Sequence, residues 1–435
     1  MSSYAPAPAP LGRPTYVRHV VLGLTVLIYM ITYMDRVVLS TTAPMIRKEL
    51  GISLVAFGTI QSAFNLSYAL FQIPGGWLGD RIGPRRALTL IASWWSAFTA
   101  LTALGWSAAS MTAIQWIFGM GEAGAFPIAT RSLSRWMRPS ERGFAQGITH
   151  AGSRVGGAAG RNVVAFLMLA FGWRMPFFVL GLVGVLWAIG WYVYYRDSPE
   201  DHHRVNAAEL DLIHSASGGP LKRAGAPVPW RRILSSHTIW RISLMYVCYQ
   251  WALQVYLNWF PTYLRESRGM TLAQMGFYAS LPLWAGVVGD LAGGWFSDLL
   301  LRFTGDVKRA RRTVGVAGFL IAAVGILPAT FTPDPKASVA FSCLAFGGLE
   351  LTVSVSWAIP LDIAGDFAGS ASAVMNGLGN LGGAVSTQLL PILVAAAGWS
   401  TPFLVTSALC ALGALIYMNI DASRRIALDH PKSAA

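Results

Sequence analysis

The feature that most restricts this chain is a succession of apolar runs, each about as long as a bilayer is thick. They fall at residues 19–40, 54–78, 86–106, 110–133, 143–170 and 173–195, and again at 238–264, 272–300, 312–332, 337–361, 368–396 and 399–420. A helix rises about 1.5 Å per residue, so about 20 apolar residues cross the hydrocarbon core. Twelve such runs predict twelve transmembrane helices and an all-α membrane protein. Composition agrees, because 54% of the 435 residues are hydrophobic and only 12% charged, where soluble proteins carry about 25% charge. Soluble globular, disordered, collagen-like and disulfide-scaffold chains are excluded. The cysteines, Cys248, Cys343 and Cys410, sit singly within apolar runs and read as small core residues. No metal or cofactor is expected. The first run is long enough to span and lacks a small-residue cleavage site after it, so it reads as a helix and not a signal peptide.

One long hydrophilic segment, 196–236, separates the runs six and six. It includes Asp197-Ser198-Pro199-Glu200-Asp201 and Pro227-Val228-Pro229, which suits a linker with one short surface helix. The expected organisation is a tail at 1–18, six-helix bundles at 19–195 and 237–420 joined by that linker, and a tail at 421–435. The net charge of +13 mostly reports topology. Basic residues crowd alternate loops, as in Arg81, Arg85 and Arg86, or Lys308, Arg309, Arg311 and Arg312. The opposite loops hold Arg47, Lys48, Arg174, Arg265, Arg268 and Lys336. The positive-inside rule then puts both termini in the cytoplasm, and the expected location is the plasma (inner) membrane. No basic stretch lies outside short loops, so nucleic acid is not an expected partner.

The chain also repeats itself. Gly75-Gly76-Trp77-Leu78-Gly79-Asp80-Arg81-Ile82-Gly83-Pro84-Arg85-Arg86 follows the second run, and Gly293-Gly294-Trp295-Phe296-Ser297-Asp298 follows the eighth, at a constant offset of 218 residues. Two similarly oriented halves with a site between them near mid-membrane is a recurrent transporter plan. The G-x-x-x-D-R-x-G-x-R-R turn resembles the signature of the major facilitator superfamily. That resemblance implies two pseudo-symmetric six-helix bundles and a cytoplasmic gate formed by Gly76, Asp80, Arg81 and Arg85, with a weaker echo at Asp298.

Charges at membrane depth are costly, about 2.5–3.5 kcal/mol on insertion scales, and are functional candidates by default. The first run contains Tyr33-Met34-Asp35-Arg36, and the fourth contains Gly119-Met120-Gly121-Glu122-Ala123-Gly124-Ala125-Phe126-Pro127. Tyr33, Arg36 and Ser40 share a helix face, a stripe suited to a hydroxylated carboxylate because a guanidinium donates two parallel hydrogen bonds. Asp35 points elsewhere. Glu122, amid glycine and apolar residues, reads as a proton carrier or as a fixed counter-ion for Arg36 or Arg154. Gln250, Gln254 and Asn258 form a polar stripe in the seventh run; Ser354, Ser356, Trp357 and Asn376 add uncharged groups from the tenth and eleventh.

With Asn258-Trp259-Phe260-Pro261-Thr262-Tyr263-Leu264, Gly172-Trp173-Arg174 and Asn376-Gly377-Leu378-Gly379-Asn380, these motifs resemble the anion:cation symporter family, nearest the bacterial carriers of galactonate, glucarate and hexuronates. The resemblance implies proton-driven uptake of a small organic anion. In it Arg36 grips the carboxylate, Asp35 and Glu122 carry protons, and Tyr33, Tyr68, Ser354, Ser356, Trp357 and Asn376 touch the hydroxyls or line the cavity. Gln115 departs from the family, which usually has arginine there, while Arg161 stands where proline is more usual. A cavity-facing Arg161 would relocate the positive charge. Glu350 has no assignment. A single chain of twelve helices is expected to work as a monomer. An anion exchanger or a sodium-coupled carrier is the closest alternative; a multidrug antiporter and a transporter-like sensor fit less well. No nucleophile or metal cluster and no phosphate loop suggests an enzyme or an ATP-driven pump.

Glycines recur at helix-packing spacing, in Gly152, Gly156 and Gly160 and in Gly75 and Gly79. Such faces let helices approach closely.

Overall fold

The computed structural model describes residues 13–138, 141–215, 230–364 and 368–423. These residues contain helices and no strand. The first group comprises α1 (Val17–Leu50), α2 (Leu54–Ile82), α3 (Pro84–Thr102), α4 (Ala108–Glu122), α5 (Ala125–Trp136), α6 (Arg142–Phe171) and α7 (Met175–Tyr194). Two short helices follow, α8 (Ala207–Ser215) and α9 (Trp230–Ser235). The remainder are α10 (His237–Gln254), α11 (Phe260–Glu266), α12 (Leu272–Thr304), α13 (Val307–Phe331), α14 (Pro335–Ala364), α15 (Ala368–Ala397) and α16 (Ser400–Met418).

Helix ends follow local chemistry. Gly51, at φ +64°, stops α1, and the Ser53 hydroxyl then accepts from the Ala56 amide to start α2. At Gly83, φ is +80° and an added Cβ would meet the Asp197 carboxylate at 2.6 Å. That carboxylate accepts from the Arg85 amide at 3.0 Å, in the first turn of α3, where the helix dipole favours a negative charge.

Two of the expected spans are divided. The fourth changes helix at Ala123–Gly124, between α4 and α5. The seventh passes through a π turn at Val255–Trp259, between α10 and α11. The expected linker helix exists as α8, yet it is more than a surface feature. Glu209 is fully buried and accepts from the Val17 and Arg18 amides, capping α1.

Among the described residues, seven helices are long and apolar enough to cross a membrane: those containing Val17–Leu50, Leu54–Gln72, Met175–Tyr194, Val307–Phe331, Pro335–Ala364, Ser370–Ala397 and Ser400–Met418. Several others line the interior and carry the polar residues and glycines that lower hydropathy, as α6 does with Arg154 and Arg161. The outward surface is the apolar one. On α7, Leu182, Leu186, Ile189 and Val193 are exposed while Gly181, Gly184 and Trp187 are buried. Such an inside-out pattern suits lipid as solvent.

α1 packs on α6, α2 on α4 and α3 on α7; α10 packs on α15, α12 on α14, and α13 on α14 and α16. Contacts between the groups before and after α8 run mainly through α6 with α12 and α2 with α15. Glycines set the closest approaches. A Cβ at Gly156 would lie 2.3 Å from the Met30 carbonyl, and one at Gly289 would lie 2.2 Å from that of Gly347.

Candidate functional site

The arginine of α1 and the glutamate that ends α4 form an ion pair. Arg36 Nε and Nη2 both stand 2.6 Å from Glu122 Oε1. The Glu122 side chain is fully buried, while 17% of that of Arg36 is exposed. Aromatic rings wall the guanidinium, with centroids at 4.5 Å for Tyr68, 5.1 Å for Tyr33, 5.4 Å for Phe126 and 5.7 Å for Phe64. Stacked rings attract a cation through their faces and exclude water around it. Glu122 thus pairs with Arg36 and not with Arg154.

Asp35 points away, as the helix geometry requires. It is 4% exposed, and Trp95 and Thr99 of α3 stand beside its carboxylate. Asp35 and Arg36 nonetheless border one pocket, together with Gln115, Asn65, Gln254 and Asn258. Gln115 donates to the Thr102 hydroxyl at 3.0 Å, and the pocket side of α10 is a hydrogen-bonded chain. Gln254 donates to Asn65, and Asn258 donates to Gln254 and Thr387.

Other expected site residues divide between two surroundings. Tyr33 reaches Arg154, whose Nη1 donates to its hydroxyl at 3.0 Å. Trp357 donates to the Tyr246 hydroxyl at 3.1 Å, Gln250 donates to Asn380 at 2.8 Å, and Asn376 is half-buried on α15. Ser354 and Ser356 turn to the protein instead. Ser354 donates to the Asp290 carbonyl, and the buried Ser356 donates to Thr352 within its own helix.

Arg161 is fully buried, and its Nη2 donates to the carbonyls of Tyr256 and Leu257 at 2.8 and 2.9 Å. A π turn breaks the usual backbone ladder and leaves carbonyls to be met from outside. Ser40 donates to the Leu257 carbonyl at 2.7 Å, and Gln61 donates to that of Asn258 at 3.5 Å. Three successive carbonyls are thus gripped from α1, α2 and α6. Arg161 therefore holds backbone and does not line the pocket, so the positive charge is not relocated into it. Nearby ties join the same end, including Asn65 to Thr387, Ser62 to the Ala384 carbonyl and the Arg47–Glu266 ion pair.

Of the gate residues, the side chain of Asp80 lies outside the described residues. Gly76 packs toward Pro127, and Arg81 is exposed over the Trp77 ring. Arg85 donates to the Tyr192 carbonyl at 2.8 Å. Asp298 is exposed, 3.7 Å from Arg311, which also pairs with Asp362 at 3.1 Å.

A family model, Major Facilitator Superfamily, matches residues 25–387. The chain belongs to the Major Facilitator Superfamily. Members of this superfamily are transporters, so the protein is an integral membrane transporter and not an enzyme. It is 42% identical to a Cupriavidus necator protein described as a probable sulfoacetate transporter, over 93% of this chain and 94% of that one. It is 31% identical to a D-galactonate transporter of Escherichia coli, over 94% and 95% of the two chains. A galactarate/D-glucarate transporter of Bacillus subtilis, described as probable, is 30% identical over 89% and 88%. In fold it resembles the crystal structure of a bacterial homologue of the human lysosomal transporter Spinster. That match has a TM-score of 0.76 at 18% identity, over 94% of this chain and 98% of that one.

Sequence reasoning missed the partner of Glu350. Arg154 Nη2 lies 3.0 Å from Glu350 Oε2, and the Tyr249 hydroxyl donates to Oε1 at 2.9 Å. The available signal was Glu350, an unassigned charge in the tenth run, and Arg154, left without a counter-ion once Glu122 is given to Arg36.

Proposed function

We propose that this protein imports a small organic anion together with protons, by alternating access between two six-helix halves, 19–195 and 237–420. The observation that carries the proposal is the Arg36–Glu122 pair, enclosed by aromatic rings beside a polar pocket. A proton on Glu122 removes its claim on Arg36, and the anionic group of the substrate takes the freed guanidinium. The site then holds the same net charge loaded as empty, which avoids leaving a buried charge unpaired. Asp35, which borders the pocket beside Arg36, supplies a second protonatable carboxylate. Tyr33, Tyr68, Gln250, Gln254, Asn258, Trp357 and Asn376 are the side chains proposed to meet the rest of the substrate. Ser354 and Ser356, engaged with the protein, are proposed only as supports.

The interhalf ties around the π turn fit a state closed on the outer side, if the basic loops mark the cytoplasm. In this reading both termini are cytoplasmic, the segment 196–236 links the halves, and Asp80, Arg81 and Arg85 form a gate. The named relatives supply two substrate classes, sugar acids and a short sulfonated acid.

Uptake into proteoliposomes under an imposed pH gradient, and separately under a sodium gradient, tests the proposal. Accumulation of a sugar acid or sulfoacetate is expected with the pH gradient alone. Accumulation driven only by sodium, or only by exchange for internal anion, would replace the proton-coupled reading with its closest alternatives.

A further inference from the structure

Buried ion pairs contribute little net stability, because desolvating two charges offsets most of their attraction. A second buried pair therefore asks for a reason other than holding the fold. Arg154 on α6 and Glu350 on α14 make such a pair, with Arg154 7% exposed and Glu350 not at all. Its chemistry repeats that of Arg36 and Glu122, and the two pairs meet at one ring. The guanidinium carbons of Arg36 and Arg154 lie 5.1 and 5.4 Å from the Tyr33 centroid. They are separated by no more than those two distances laid end to end. Arg154 donates to the hydroxyls of Tyr33 and Tyr249, while its buried Nε makes no hydrogen bond.

We propose that Arg154 is a second anion subsite, and that the substrate is a short dianion whose two charged groups engage Arg36 and Arg154 together. This rests on the reading of Arg36 as the first anion grip. In the empty protein Glu122 and Glu350 hold the places of the two substrate groups. As the dianion enters, each displaced carboxylate takes one proton, so two negative charges arrive and two are neutralised. Glu350 gains its proton among Arg154 of α6, Tyr249 of α10 and Asp290 of α12; Arg154 also faces Tyr33 of α1 and His150 of its own helix. A monoanionic acid satisfies only one of the two guanidiniums. Two guanidiniums within that span of one ring can be met by the two ends of a single small dianion. That arrangement favours dicarboxylates and sulfonate–carboxylates over monoanions.

The test uses the purified full-length protein and ligand binding followed by tryptophan fluorescence. Sulfoacetate, malonate and succinate serve as dianions, and gluconate and galactonate as monoanions. The wild type is expected to bind dianions at least about tenfold more tightly. In the double variant Arg154→Gln with Glu350→Gln, which removes both charges and strands neither, the dianion-to-monoanion affinity ratio should fall at least about tenfold. Glu350→Gln alone, with Arg154 already released, should bind dianions more tightly than wild type at alkaline pH. An unchanged ratio in the double variant, or dianion affinity unmoved by Glu350→Gln, overturns the second subsite. Insensitivity of both ligand classes to Arg36→Gln strikes the underlying reading instead, and the subsite proposal falls with it.

Discussion

Arg36 and Arg161 are both arginines enclosed by helices at membrane depth, yet they are held in opposite ways. Arg36 faces a carboxylate across 2.6 Å, within an aromatic enclosure that borders a polar pocket. Arg161 faces the main-chain carbonyls of Tyr256 and Leu257 and is fully buried. A carboxylate loses its charge on taking a proton, so the hold on Arg36 is switchable. A carbonyl has no such second state, so the hold on Arg161 is fixed for as long as the helices stay together. Charge in a membrane marks function by default, and the partner decides which function.

The largest expected effect is at the switchable arginine. Arg36→Gln strands Glu122, and losing one member of such a pair costs about 2–5 kcal/mol of binding, or at least about a 30-fold weaker affinity. Titration calorimetry with the best anion measures it, and an affinity within a few-fold of wild type would erase the contrast. Next comes the fixed arginine. Arg161→Gln withdraws donors from the π turn at a cost of about 1–3 kcal/mol, felt where the halves meet. A cysteine placed at Gln61 should then react faster with an aqueous thiol reagent, while anion affinity falls far less than in Arg36→Gln. Equal losses of affinity would put Arg161 in the binding site after all.

The glycine crossings extend the comparison to close and open packing. Gly156→Ala drives a Cβ against the Met30 carbonyl of α1 and should cost about 1–3 kcal/mol of thermal stability, as overpacking does. Gly23→Ala, with nothing within 4 Å, should be neutral or gain about 0.5–1 kcal/mol. Melting curves in one detergent compare the two. The smallest effect belongs to a half-buried pair near the protein surface. The Ser423 hydrogen bonds and the Lys308 ammonium hold the Asp421 carboxyl down at about 2, against an ordinary 3.8. Its stabilisation is present above the ordinary value and fades as pH falls from 3.8 toward 2. Solvent screening limits the change to a few tenths of a kcal/mol, so Lys308→Ala should leave the acid limb of the melting curve nearly unchanged.

Much of this was legible in the sequence because lipid imposes a coarse rule. Apolar run length located the helices, and rarity of charge at depth pointed to Asp35, Arg36, Glu122, Arg161 and Glu350. Helix periodicity separated Asp35 from Arg36 correctly, since it depends only on one helix. Pairing across helices was not legible. Glu350 meets Arg154 from nearly two hundred residues away, a distance no periodicity encodes. The π turn at Val255–Trp259 was hidden as well, because its residues keep an ordinary helical pattern and only its outside donors, Ser40, Gln61 and Arg161, account for it. The engagement of the hydroxyls was not legible for a related reason: in a helix a hydroxyl can satisfy itself on the preceding turn, as Ser356 does on Thr352.

The central claim is that Glu122 exchanges a proton for the substrate's anionic group at Arg36. Its most direct test is Glu122→Gln in proteoliposomes, comparing anion counterflow with accumulation driven by an imposed pH gradient. Counterflow is expected to persist while gradient-driven accumulation is lost. Accumulation at the wild-type level in that variant would contradict it.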